Sequence, residues 1–241
     1  IDKWKKGEAT YDFLWPRTTE KKFQKVSRQM VEPRVIQILK NIPKNFLYNK
    51  KILDSGCGTG RYIDCFRKER PREIIGMDKG KAIISTNKKR YKGAKNISFK
   101  VGDIKKLPFK NEEFDFICSA GVFHHSSEKM SHLVKEHQRV LKKGGYFFIF
   151  VTAKGGLLKE TWNFSRKLLK DIPLSDIYDY LKNKINPLRI QGFIDHAYTS
   201  NVPTTRKNLE IILKKNFSKI KKLQGVPGAD LTKQIYKKDK F

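Results

Sequence analysis

The chain has 241 residues, 38% of them hydrophobic, enough to bury one domain core with elaborations or a small cap. Its longest apolar run, Tyr146 to Val151, is too short for a membrane helix, and its three cysteines (Cys57, Cys65, Cys118) have neither the even number nor the spacing of a disulfide framework or zinc site. The net charge of +29 rests mainly on lysine, with only 12 arginines among 53 basic residues and no long basic block, which argues against a dedicated nucleic-acid reader.

Residues Asp2 to Asn41 read as interrupted amphipathic helix. An aromatic cluster, Trp4, Tyr11, Phe13 and Trp15, precedes Pro16. A longer helix then carries Val31, Val35, Ile36 and Leu39 on its buried face, with Pro33 in its first turn. Regular alternation begins at Lys51. Strand one covers Lys51 to Ser55, and a helix runs from about Gly60 to Arg70, where Pro71 breaks it. Strand two is Glu73 to Met77, ending at Asp78; a second helix spans about Lys81 to Tyr91; strand three is Ile97 to Val101. Strand four covers Phe114 to Ser119, a helix follows from about Glu128 to Leu141, and strand five is Tyr146 to Thr152. Strands and helices alternating at these intervals predict a parallel sheet covered on both faces.

The pattern changes after Thr152. Leu157 to Asn186 reads as an inserted helical cap, and Gly192 to Tyr198 as a loop or short strand. Pro203-Thr204-Thr205 caps a helix reaching about Lys215, with strands at Asn216 to Leu223 and Leu231 to Tyr236. The expected division is an N-terminal helical segment (1–50), a ligand-binding core (51–153), a cap with the substrate region (154–200) and a C-terminal completion of the sheet (201–241). The charged opening, without an apolar signal core, gives the expectation of a cytoplasmic location.

The chemistry concentrates at Asp54-Ser55-Gly56-Cys57-Gly58-Thr59-Gly60, between strand one and its helix. Glycines there permit backbone angles that a side chain penalises and let a ligand approach the bare main chain. The helix N-terminus adds unpaired N–H groups. The spacing is G-x-G-x-G, and Arg61 stands where a dinucleotide fingerprint needs its third glycine, which disfavours a nicotinamide dehydrogenase. Asp78, at the carboxyl end of strand two, lies where a ribose is held in doubly wound sheets.

Asp54 to Gly60 resembles motif I of the class I S-adenosylmethionine-dependent methyltransferases, D-x-G-C-G-x-G. Further segments resemble the same family in the same order: Asp78 its motif II acid, Gly102-Asp103-Ile104 with Leu107-Pro108-Phe109 its G-D-x-x-x-L-P-F, Ser119-Ala120-Gly121 with His124-His125 its S-x-G-x-x-H-H, and Arg139 to Gly145 its R-V-L-K-P-G-G turn, with Lys143 in place of proline. The resemblance covers about Ile52 to Val151. It implies a Rossmann-like, doubly wound α/β sheet of seven strands, mostly parallel with the last antiparallel. It also implies S-adenosyl-L-methionine as cofactor, held by Tyr11, Asp54, Gly56, Cys57, Gly58, Gly60, Asp78, Lys79, Asp103, Ile104, Ser119, Ala120 and Gly121.

Methyl transfer needs an aligned nucleophile and, for an amine or hydroxyl, a nearby base. Candidates for that work are His124, His125, Asp195 and His196, with Trp15 and Tyr198 as substrate contacts and no metal site. One histidine of the 124–125 pair can instead serve as a structural pin, and His137 is expected at the rim of its helix face. The favoured acceptor is a small molecule, lipid or sugar beneath the cap. A tRNA or RNA acceptor using the basic surface is the alternative, since the exit of strand four loosely resembles tRNA wobble-uridine methyltransferases. A catalytically inactive binding protein is a third reading, opposed by the intact Asp54, Asp78 and Asp103. Oligomeric state stays open.

Overall fold

The computed structural model describes residues 10–14, 17, 21–154, 157–185, 187–199 and 202–223. A five-stranded parallel sheet forms its centre, in the order β3-β2-β1-β4-β5. The strands are β1 (Lys51–Ser55), β2 (Glu73–Asp78), β3 (Ile97–Val101), β4 (Phe114–Ala120) and β5 (Leu141–Phe150). Helices α1 (Lys21–Lys40), α2 (Arg61–Phe66) and α3 (Lys81–Arg90) share one core with the sheet, and α4 (Met130–Val140) packs into the cores of the other face.

Strand alternation explains the two cores. Ile52 of β1 enters the core with Val35, Ile63 and Phe66, whereas its neighbour Leu53 enters the opposite one with Met77, Ile117 and Val140. In β4, Phe116 and Cys118 face the first core and Ile117 the second; a register shift between Phe114 and Phe116 turns Phe114 to the second face as well. Chain order reverses between β1 and β4. Open α/β sheets place ligands at the carboxyl ends of the strands beside such a reversal.

Three helices follow β5: α5 (Leu157–Leu168), α6 (Leu174–Leu181) and α7 (Pro187–Tyr198). They have their own core, built from Ile190, Ile194, Ala197 and Tyr198 with Leu174, Ile177 and Leu181 around them. Residues 10–14 are helical and contribute Leu14 to it, so these residues and the cap share one core. The cap is pinned at its neck. Lys154 donates its backbone N–H to the Thr204 carbonyl at 3.0 Å, and Val202 donates to the His124 carbonyl at 2.7 Å. Helix α8 (Arg206–Lys214) follows, with the Thr205 hydroxyl accepting from the Asn208 N–H at its start.

Four expectations need correction. Gly192 to Tyr198 is helix, because Ile190, Ile194, Ala197 and Tyr198 recur at helical spacing and are buried, while a Cβ at Gly192 would meet nothing within 4 Å. Helix α1 begins at Lys21, so Pro33 lies inside it rather than in its first turn. Residues 216–223 are irregular, so the described sheet has five strands. Phe217 ties that stretch back instead, its N–H bonding to Leu213 and its ring packing on Phe147. The last expected strand, 231–236, and Trp15 lie outside the described residues. His137 is wholly buried rather than at a rim.

Candidate functional site

The glycine loop is shaped by backbone bonds. Gly56 and Cys57 both donate to the Met77 carbonyl, at 2.7 and 2.9 Å, which curls the chain over the end of β2. Gly56 has φ of 80°, and a Cβ there would sit 2.4 Å from Val122 Cγ2. Gly60, at φ of 75°, precedes α2. No larger residue fits at Gly56 without strain and collision.

Three side chains from α3 and its C-terminus hold the loop from outside. Asn87 Nδ2 donates to the Gly58 carbonyl at 2.7 Å, Arg90 to the Thr59 carbonyl at 2.6 Å, and the Tyr91 hydroxyl to the Gly60 carbonyl at 3.2 Å. Arg90 and Tyr91 also converge on the buried Asp64, Arg90 through a very short contact. Sequence reasoning missed this brace. Its only signal is the polar stripe at 87, 90 and 91 on an otherwise ordinary amphipathic helix.

Asp78 accepts from the Gly58 N–H on one oxygen (2.9 Å) and from the Gly80 N–H on the other (3.0 Å). Each oxygen keeps a further lone pair for a ligand diol. Burial raises the Asp78 carboxyl above the usual carboxylate range, against the pull of those backbone donors. Asp54 lies next to it, 1% exposed, and its Oδ2 has no hydrogen-bond partner among the described residues. Burial, with Asp78 as the second cause, pushes the Asp54 carboxyl up to about 7. Such an orphaned acidic oxygen at the loop is suited to a cationic group of a ligand.

Asp103 follows β3 and lies 3.6 Å from Lys79 Nζ, while Ile104 fills a gap between two cores. Ser119 is buried and its hydroxyl donates to the Ser55 carbonyl at 3.0 Å, tying β4 to β1. Gly121, at φ of 79°, takes the chain away from β4. Cys57 is buried at the loop, and burial drives its thiol far above the normal range, so it is an inert packing group. Ser55 also bonds His137 Nε2 at 2.9 Å, and His137 Nδ1 meets the Leu133 carbonyl at 2.7 Å. That carbonyl fixes the proton on Nδ1, so Nε2 accepts from Ser55.

Residues 53–149 match the family described as a methyltransferase domain. They are a class I S-adenosylmethionine-dependent methyltransferase domain. Probable tRNA methyltransferase 9B of Homo sapiens is 35% identical over 123 residues, covering 50% of this chain and 24% of that protein. Demethylmenaquinone methyltransferase of Staphylococcus saprophyticus is 30% identical over 112 residues, covering 46% of this chain and 48% of that protein. This chain therefore spans less than half of either relative. The crystal structure of the PH0226 protein from Pyrococcus horikoshii shares the fold, with a TM-score of 0.58 at 22% identity over 87% of this chain and 89% of that one.

The residues of this methyltransferase domain fit the cofactor of its class. S-Adenosylmethionine carries an ammonium, a ribose diol and an adenine amino group. The orphaned Asp54 oxygen, the remaining lone pairs of Asp78 and the Asp103 carboxylate stand in that order along the carboxyl ends of β1, β2 and β3.

A second cluster lies beside the first. The Tyr11 hydroxyl donates to Asp195 Oδ1 at 2.5 Å, and His125 Nε2 is 3.5 Å from the same oxygen. The Tyr11 and His125 rings meet edge to face at 5.3 Å, and His196 Nδ1 is 4.0 Å from Asp195 Oδ2. Burial alone would raise the Asp195 carboxyl; His125, the Tyr11 hydroxyl, His196 and His124 outweigh it and hold the group below its usual range. Burial, then Asp195, drives the Tyr11 phenol far upward, so it stays protonated. Asp12, the next residue, approaches the Asp78 loop: a Cβ at Gly80 would lie 3.0 Å from Asp12 Oδ1 and 3.5 Å from Asp78 Oδ1, so the segment of Tyr11 borders both clusters.

The other expected residues separate. His124 is buried, and its Nδ1 accepts from the Thr152 N–H at 3.3 Å, so it pins the end of β5. The Tyr198 ring packs in the cap core and its hydroxyl donates to the Ile172 carbonyl at 3.3 Å, apart from the Tyr11–His125–Asp195 cluster. Among the described residues, no group of acidic, histidine or cysteine side chains has metal-site geometry, and no helix is long and apolar enough to cross a membrane.

Proposed function

We propose that this chain transfers a methyl group from S-adenosylmethionine to an oxygen or nitrogen of a small polar acceptor seated beneath the α5–α7 cap. The observation that carries this reading is the meeting of Tyr11, His125 and Asp195, from three distant parts of the chain, beside the Asp54 and Asp78 end of the sheet. The cofactor supplies an activated methyl group on a sulfonium. Asp54, Asp78 and Asp103 hold it, and the glycine loop gives it access to bare backbone. Tyr11 stays protonated and orients Asp195. The Asp195–His125 pair takes the proton that the acceptor loses as its oxygen or nitrogen attacks. The cap and residues 10–14 exclude water from that step.

A labelled-methyl transfer assay comparing a metabolite extract with total RNA tests this reading. Label in the small-molecule fraction supports it, and label confined to RNA overturns it. A tRNA acceptor is the second reading. It is favoured by the name of the human relative and by the net charge of +29. A cleft of about 1440 Å³ between α1, β5 and residues 216–223 adds to it, with Lys40, Lys142, Lys143, Arg206, Lys219 and Lys222 among its lining residues.

A further inference from the structure

Helix α5 carries two hydrogen-bond donors that have no acceptor among the described residues. Trp162 Nε1 and Arg166 Nε are both shielded from solvent and both without a partner. They are four residues apart, so they project from one face of α5. That face meets α7: the Trp162 ring lies 5.9 Å from Phe193 and 5.0 Å from His196, edge to face in both cases. His196 in turn reaches Asp195. One imidazole thus separates Trp162 from the Tyr11–His125–Asp195 cluster, and Arg166 lies one turn along the same face of α5.

Arg166 is not the ion-pair partner of Asp195. Its Nη1 donates to Asn163 at 3.0 Å, and no carboxylate within salt-bridge distance of it occurs among the described residues. Asp195 acts on it only at longer range, and burial pulls the guanidinium downward without neutralising it. A half-buried guanidinium whose Nε–H is shielded without an acceptor, one helical turn from a shielded indole N–H in the same state, is costly unless an oxygen accepts from them.

We propose that Trp162 and Arg166 form an oxyanion subsite for the acceptor, so that the methylated molecule is a small hydroxylated carboxylate or phosphate, such as an acidic sugar, rather than a neutral one. This rests on the acceptor site assigned above. The oxyanion seats on the indole N–H and the guanidinium Nε–H, and the attacking hydroxyl or amine then extends past His196 to the Asp195–His125 pair. Arginine with an aromatic N–H donor suits this task because both present fixed, directional donors.

Calorimetry with the full chain, its donor site loaded with S-adenosylmethionine, tests the site without needing turnover. The probes are glucuronate and glucose 6-phosphate, with glucose as their neutral counterpart, and acetate and inorganic phosphate as minimal ions. The wild type is expected to bind at least one oxyanion roughly tenfold more tightly than its neutral counterpart. Carboxylate or phosphate preference identifies the acceptor's anion. Trp162→Phe keeps the ring but removes the N–H, and Arg166→Lys keeps the charge but removes the fork. Both should erase the preference while leaving S-adenosylmethionine affinity within about twofold. Equal binding of charged and neutral probes, no oxyanion binding at all, or a preference that survives both substitutions would overturn the proposal. Methyl transfer to a neutral acceptor with no oxyanion binding would remove this subsite and leave the transfer reaction standing.

Discussion

Acidification should remove a defined amount of stability through one buried imidazole. His137 is wholly buried between α4 and β1, donates from Nδ1 to Leu133 and accepts from Ser55, and its pKa is lowered to about 4 by burial. The unfolded chain titrates this group near its ordinary value of about 6.5. A histidine whose folded pKa is depressed contributes stability above the unfolded pKa and loses it as pH falls toward the folded one. At about 1.4 kcal/mol per pH unit, the full loss is about 3.5 kcal/mol, of which ~3 kcal/mol is gone by pH 4 and about 2 kcal/mol by pH 5. Asp54 acts in the opposite sense. Its carboxyl is raised to about 7, so the folded state gains stability as pH falls below that value. Wild-type pH dependence alone therefore mixes opposing contributions, those of the raised Asp78 and the lowered Asp195 among them. His137→Gln isolates one, because the Asp54 contribution is common to both proteins. Urea unfolding at pH 8 and pH 5 should show the wild type losing about 2 kcal/mol more than the variant over that interval. Parallel pH dependence in the two proteins would refute a neutral, desolvated His137.

Asp78→Ala removes the acceptor shared by the Gly58 and Gly80 N–H groups, and calorimetry should show S-adenosylmethionine binding weakened by about 10- to 100-fold; unchanged affinity would sink the donor-site assignment. Gly56→Ala should lower stability by roughly 2 kcal/mol, and pairing it with Val122→Ala should recover only part, since the collision is relieved but φ of 80° is not. Thermal unfolding of the single and double variants checks this, with full recovery as the contrary result. Asp195→Asn should cut turnover about 100-fold or more while leaving S-adenosylmethionine affinity unchanged; full activity would exclude Asp195 from proton transfer. His124→Ala should act mainly on thermal stability and His125→Ala mainly on turnover, because His124 binds backbone and His125 faces Asp195.

Much of the donor site was legible because its determinants are local. Gly56, Gly58 and Gly60 announce a turn of positive φ, and Asp54, Asp78 and Asp103 each sit at or just beyond a strand's carboxyl end, so the alternation of strands and helices places all three on one sheet edge. The inner brace of Asn87, Arg90 and Tyr91 was not legible. Polar side chains on a helix read as solvated until the helix is docked against the loop they hold. Gly192 obscured α7, although the apolar spacing beneath it is helical. The pair His124-His125 offered two identical side chains with no sign of which faces inward.

By itself, the sequence determined the parallel α/β core and its ligand edge, because strand period, glycine torsions and acidic strand ends act within a few residues, while the methyl donor followed from the resemblance of its motifs to a known family. Tertiary structure alone brought a second polar cluster to the neighbourhood of that edge. Tyr11 and Asp195 are 184 positions apart and meet only once residues 10–14 and α7 share the cap core. The same packing turned His124 to the backbone and Tyr198 inward, set Trp162 against α7, and left Trp162 Nε1 and Arg166 Nε without acceptors among the described residues. Which side chains face the reacting groups depends on how helices dock, and no local torsion or periodicity encodes that.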